Sequence, residues 1–168
     1  WAQMNAKIPN CAVRDIKIDA KTNDLVLATH GRGVLVVDDI SPIRQLTPAV
    51  LDADLTILKS RPTPVTNGHW GGLFPSAGSF TGPNSPEDCR IIYYLKDRVT
   101  SGDLKIEVFD KDGKWLGNVP ATKRKGINKV SWSMRTKPPR TAVGVRADGA
   151  GFFGPLVDPG TYTVKITK

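Results

Sequence analysis

Two neighbouring stretches limit what this chain can become. Ile91–Leu95 is a run of bulky apolar and aromatic residues, and Leu104, Ile106 and Val108 then alternate with Lys105 and Glu107. A period of two belongs to a strand with one face on a core and the other in water. Asp112-Gly113 follows. An Asp-Gly pair marks a hairpin, because a type I′ turn needs positive φ at both central residues. Arg90 to Trp115 therefore predicts a strand, a short connection, a second strand and a tight turn.

Everything C-terminal repeats this grammar. Strands are expected near Arg90–Lys96, Asp103–Phe109, Trp115–Val119, Asn128–Met134 and Thr161–Thr167. Val130 and Trp132 fall on one face of the fourth, opposite Lys129, Ser131 and Ser133. Tyr162, Val164 and Ile166 alternate in the last, after an Asp158-Pro159-Gly160 turn. Sixteen glycines and 13 prolines suit many short strands better than long helices. The class read from this is all-β, with an immunoglobulin- or fibronectin-like β-sandwich over residues 88–168. Arg140–Pro155 is read as a long loop with Phe152 and Phe153 packed inside it.

The first sixty residues differ. Val13, Ile16 and Ile18 begin one strand, Leu25–Thr29 forms a second and Val34–Val37 a third. The turns are Lys21-Thr22-Asn23-Asp24 and His30-Gly31-Arg32-Gly33, and Asp38-Asp39 stops the run. This predicts a three-stranded antiparallel meander. Leu25–Leu27 and Val34–Val37 lack polar alternation, so both faces should be covered. So small a piece cannot cover itself, and it is expected to dock on the sandwich or pair with another copy of the chain. Pro42–Leu51 suits one or two helical turns, with Ser41 as N-cap and Pro42 at the first helical position. Leu55, Ile57 and Leu58 make a short strand ended by Arg61-Pro62. Residues 61–87 are rich in Pro and Gly and read as a linker, with His69-Trp70 in its middle. The expected division is 1–60, 61–87 and 88–168, within the size of one domain plus an appendage.

The run Asp24-Leu-Val-Leu-Ala-Thr-His-Gly-Arg-Gly-Val-Leu-Val-Val-Asp-Asp-Ile-Ser-Pro-Ile-Arg-Gln-Leu resembles the end of the last blade in sortilin-like, BNR-type bacterial propeller proteins of the "glycosyl hydrolase" repeat kind. Trp1–Arg14 is similar to the segment that precedes it there. In that family a Thr-His-Gly-Arg-Gly turn joins two blade strands, and Asp-Asp-Ile-Ser-Pro leaves the propeller. The pattern Ile-Tyr-Tyr-Leu, Lys-Ile-Glu-Val-Phe-Asp-Lys-Asp-Gly-Lys, Gly-Ile-Asn-Lys-Val-Ser-Trp and Pro-Gly-Thr-Tyr-Thr-Val resembles the small sandwich of the flagellar hook-cap protein. A module of that type follows the last blade in the propeller family. The Asp-box (Ser-x-Asp-x-Gly-x-x-Trp) of those repeats is absent. The resemblance implies the C-terminal part of a secreted or periplasmic protein similar to propeller-type glycoside hydrolases, with the remainder of the propeller as its partner and a polysaccharide as a second candidate partner. Trp1 opens the sequence as the interior of a longer protein would.

Catalytic signatures do not appear. Nothing resembles Gly-x-Ser-x-Gly, a Walker loop or HExxH, and no metal or cofactor is expected. His30 and Arg32 could serve as acid–base and anion fork. The competing reading makes His30-Gly31-Arg32-Gly33 a hairpin turn, with Gly31 and Gly33 at φ > 0 and Arg32 tying strands. Asp38 and Asp39, adjacent on a strand, should point to opposite faces, which disfavours a shared site and favours turn capping. Cys11 and Cys89 lack CxxC spacing and read as two separate buried thiols, though a disulfide is open to them. The net charge of +8 centres on Lys123-Arg124-Lys125 and permits nucleic acid, but a solvated loop explains it better. No stretch is apolar over a membrane's width. The leading expectation is a non-catalytic structural or interaction module. The alternative is a carbohydrate-binding module that uses Trp70, Tyr93, Tyr94 and Trp115 as stacking rings; a nucleic-acid binder comes last.

Overall fold

The computed structural model describes residues 8–65, 88–138, 140, 142 and 153–168. The class is all-β. Among the described residues nine strands run β1 Val13–Ile18, β2 Leu25–Thr29, β3 Val34–Val37, β4 Leu55–Leu58, β5 Cys89–Leu95, β6 Lys105–Phe109, β7 Trp115–Val119, β8 Gly126–Trp132 and β9 Thr163–Thr167. Two short helices, α1 Ser41–Arg44 and α2 Pro48–Asp52, precede β4. The strands form three antiparallel three-stranded sheets, ordered β1-β2-β3, β4-β5-β8 and β7-β6-β9.

The second and third sheets share one core. Ile91, Tyr93 and Leu95 of β5 and Val130 and Trp132 of β8 meet Ile106 and Val108 of β6 and Val119 of β7. The alternation in the sequence is what aims these side chains inward together. Trp132 packs edge-on against Tyr162, with ring centroids 5.1 Å apart. β4 lies within the expected 1–60 segment, yet it hydrogen-bonds along β5, from Leu55 opposite Leu95 to Leu58 opposite Ile92. Its four residues carry no distinctive pattern, so only the pairing reveals the sheet they join.

The Asp112-Gly113 hairpin differs from a type I′ turn. Only Gly113 has positive φ, at 78°. Its N–H donates to the Asp110 carbonyl (3.2 Å), and the Asp110 N–H donates to the Lys114 carbonyl (3.0 Å). The Asp110 carboxylate also accepts from the N–H groups of Asp112 and Lys114, at 3.0 and 2.8 Å. This is the three-residue loop with one left-handed glycine. Phe153, expected to be packed, is 63% exposed, with the Arg135 guanidinium 5.9 Å from its ring centre. Phe152 lies outside the described residues.

The N-terminal sheet also departs from expectation. Leu27 is buried, but Val34 and Val36 are 63% and 56% exposed, and Ile16 is 59% exposed. Cross-strand register sets Ile16, Leu27 and Leu35 on one face and Val26 and Val36 on the other. Apolar side chains are therefore uncovered on both faces. Among the described residues, the sheet's polar links to the core side are Arg61 at the Thr22 carbonyl and Asp24, and Arg90 at Asp38.

Candidate functional site

The sheet β1-β2-β3 and the core meet across a cleft of about 250 Å³. Its acidic groups are Asp24, just before β2, Asp38 and Asp39 after β3, and Asp88 just before β5. Its basic groups are Arg61, Arg90 on β5 and Lys129 on β8. Arg90 and Lys129 share the outer face of their sheet, two positions and one strand apart in register. β3 ends at Val37, so Asp38 and Asp39 are no longer strand residues. Both line this cleft, contrary to the opposite-face expectation. Asp39 makes the bend, with φ at 50°.

Most of these charges are engaged. The Asp39 N–H donates to Asp24 Oδ1 (2.8 Å), and Asp39 Oδ1 accepts from the Ser41 N–H (3.1 Å). The residue before α1 is Ile40, which makes no side-chain cap. Ser41 is thus the first helical residue and Pro42 the second, and Asp39 satisfies the Ser41 N–H where Ser41 was expected to cap the helix. Arg61 lies 3.5 Å from Asp24 Oδ1, and Arg90 lies 3.7 Å from Asp38 Oδ2. The Asp39 N–H, then Thr22 and the two arginines, hold the Asp24 carboxyl below its ordinary pKa. Partial burial, and Arg90 beside it, push the Lys129 ammonium below its own. Gln45 adds a neutral link, accepting the Lys59 N–H and donating to the Lys59 carbonyl, each at 2.8 Å. Chemically, this is an ion-paired joint. Among the described residues no group of three or more His, Cys, Asp or Glu could hold a metal ion.

A second cavity of about 670 Å³ opens at one end of the core, lined by Ile57, Cys89, Ile91, Trp132, Met134 and Tyr162 among others. Its described lining is mainly apolar. Cys89 is a half-buried thiol, unbonded, as is Cys11.

The described members of the candidate sugar platform do not share one face. Tyr93 is fully buried. Its hydroxyl donates to the Thr122 carbonyl (2.6 Å) and accepts from the Thr122 N–H (2.9 Å). A strand residue pointing inward has no face to offer a sugar, so Tyr93 is a core residue and not a stacking one. Tyr94, its neighbour, lies half-buried on the outer face of β5, opposite Thr56 and Ile127. Trp115 is on the other sheet, its Nε1–H donating to Asn118 Oδ1 (3.3 Å). The Lys137 ammonium sits 4.2 Å above its ring. Trp70 lies outside the described residues.

His30-Gly31-Arg32-Gly33 forms the β2–β3 turn. Gly31 and Gly33 have φ of 81° and 68°, and the Thr29 N–H and hydroxyl both donate to the Gly33 carbonyl, at 3.0 and 2.7 Å. His30 and Arg32 are exposed. Arg32 makes no ion pair among the described residues. In the basic loop, Lys125 meets Asp97 (3.2 Å) and Lys123 donates to the Gly102 carbonyl (2.8 Å). No described helix is long and apolar enough to cross a membrane.

Sequence reasoning missed the joint, because its charges come from five separate segments. It also missed Asn128, the buried polar residue of the core. Asn128 donates to the carbonyls of Arg124 and Gly126, at 2.6 and 2.9 Å, and accepts from the Thr122 hydroxyl (2.8 Å) and the Arg124 N–H. Its place between Ile127 and Val130 in an alternating strand was the available signal. Comparison with protein-family models, curated proteins and solved structures gave no match.

Proposed function

We propose that this chain is a non-catalytic, C-terminal structural or interaction module of a secreted, propeller-type glycoside-hydrolase-like bacterial protein. The observation that carries this reading is the N-terminal sheet, with apolar side chains uncovered on both broad faces. A blade between neighbouring blades has such faces. The residues that bear the propeller resemblance act here as turn and connector: Gly31 and Gly33 bend the chain, and Asp38 and Asp39 turn it into the joint. Two three-stranded sheets around one apolar core support an immunoglobulin-like sandwich for the second unit. Its role is to buttress the propeller or space it from a partner, and the ion-paired cleft links the two units.

The test is a panel of polysaccharides offered to the chain. The reading expects no hydrolysis. Hydrolysis that disappears in Asp24→Asn or Asp38→Asn would overturn it, because those carboxylates would then be doing chemistry.

A further inference from the structure

We propose that the outer edge of β1 is self-complementary, and that a second copy of this chain adds there antiparallel, across a two-fold axis at Ile16. Among the described residues no strand pairs this edge. All six residues of β1 are exposed. The hydrogen-bond phase decides which of them face outward. The Asp19 N–H donates to the Asp24 carbonyl, and Ile18, Lys17 and Ile16 stand opposite Leu25, Val26 and Leu27. Bonded pairs alternate along an antiparallel ladder, so Asp19, Lys17 and Asp15 bond inward to β2. Ile16 and Ile18 then turn their N–H and carbonyl groups outward.

Charge and strand overlap together select one register from this edge: centring on Ile18 would also set Lys17 against Asp19, but Ile18 is the last residue of β1 and most of the strand would be left unpaired. Centred on Ile16, an antiparallel partner sets Ile16 against its own copy, and Asp15 against Lys17 of that copy, twice. Centred on Asp15 it would oppose two aspartates. Centred on Lys17 it would oppose two lysines, and Asp15 to Asp19. Like charges directly opposite are destabilising, and opposite charges stabilise. The selected register also has its axis on a residue with outward backbone groups. In the single chain the Ile16 N–H is held by the Asp15 carboxylate at 2.9 Å. Pairing gives that N–H a backbone carbonyl and releases Asp15 to the partner's Lys17. The exposed Ile16 side chain is covered by its copy at the same time. β3 offers no such choice, since Val34–Val37 carries no charge. The pairing lies in the plane of the sheet, and so is separate from the packing of its broad faces.

Sedimentation of the full 168-residue chain over a dilution series tests this. Wild type should pass from dimer to monomer on dilution. D15K alone and K17D alone each set like charges opposite at both contacts, and each should weaken the dimer by about fivefold or more. The double variant D15K/K17D restores opposition of unlike charges and should return to within about twofold of wild type. All three variants change exposed side chains, and circular dichroism checks that each is folded. Two results overturn the proposal: a wild type that stays monomeric at every concentration, or single variants that associate as tightly as wild type. If D15K or K17D fails to fold, the double variant and the salt dependence of wild type decide. Association unmoved by salt would count against it.

Discussion

Tyr93 and Asn128 show how single residues hold the core. Both belong to one buried polar network, reached through Thr122. Tyr93→Phe leaves the Thr122 N–H and carbonyl without the hydroxyl, and should cost about 1–2 kcal/mol in a urea titration. Asn128→Ala strands two carbonyls and an N–H in the loop Thr122–Gly126, and should cost about 2–3 kcal/mol. Trp132→Ala opens a cavity beside Tyr162 and should cost about 3–5 kcal/mol. The alternation of Val130 and Trp132 made that last residue legible in the sequence. The polar network was not, because Tyr93 hides in an apolar run and its partner is 29 residues away.

Strand positions were legible wherever a period of two or a Gly turn marked them, as in β2, β3 and β7. Partners and exposure were harder to read. β4 looked like the tail of the N-terminal segment and is an edge of the core. Val34–Val37 looked doubly covered, yet alternate residues are exposed. Val36→Lys should therefore shift stability of the chain by no more than about 0.5 kcal/mol, as surface substitutions do. A large loss in a thermal melt would mean that something covers that face. The turns of this sheet are held by carboxylates. Asp19 accepts from the N–H groups of Thr22 and Lys21, at 3.0 and 2.6 Å, and its pKa is lowered by them. Asp24 is lowered chiefly by the Asp39 N–H. A carboxyl with a lower pKa folded than unfolded binds fewer protons in the folded state. Its stabilisation is present above the ordinary value of about pH 4 and is lost as pH falls below it. The sheet and joint should loosen as the pH falls below about 4, seen as loss of the β1–β3 amide signals. Asp24→Asn should blunt that pH dependence.

At the scale of the whole molecule, the chain joins two units of unequal self-sufficiency. The core buries Tyr93, Leu95, Ile106 and Val108 completely, while the N-terminal sheet leaves its apolar faces open and leans on a charged joint. The joint was beyond sequence reasoning, since pairing Arg90 with Asp38 requires the fold to bring β3 and β5 together. A chain begun at Asp54 keeps β4 and should melt cooperatively. One begun at Asp88 loses that strand, bares the edge of β5 and should be less stable. The central claim, a self-sufficient core carrying a sheet that needs a partner, is tested most directly by native-state amide hydrogen exchange at high dilution, where copies are apart. Protection should be greatest at Ile91–Leu95, Ile106–Val108 and Asn128–Trp132, and much weaker across β1, β2 and β3, which open without global unfolding. Equal protection of β1–β3 and the core would contradict the account, since the two would then unfold as one unit.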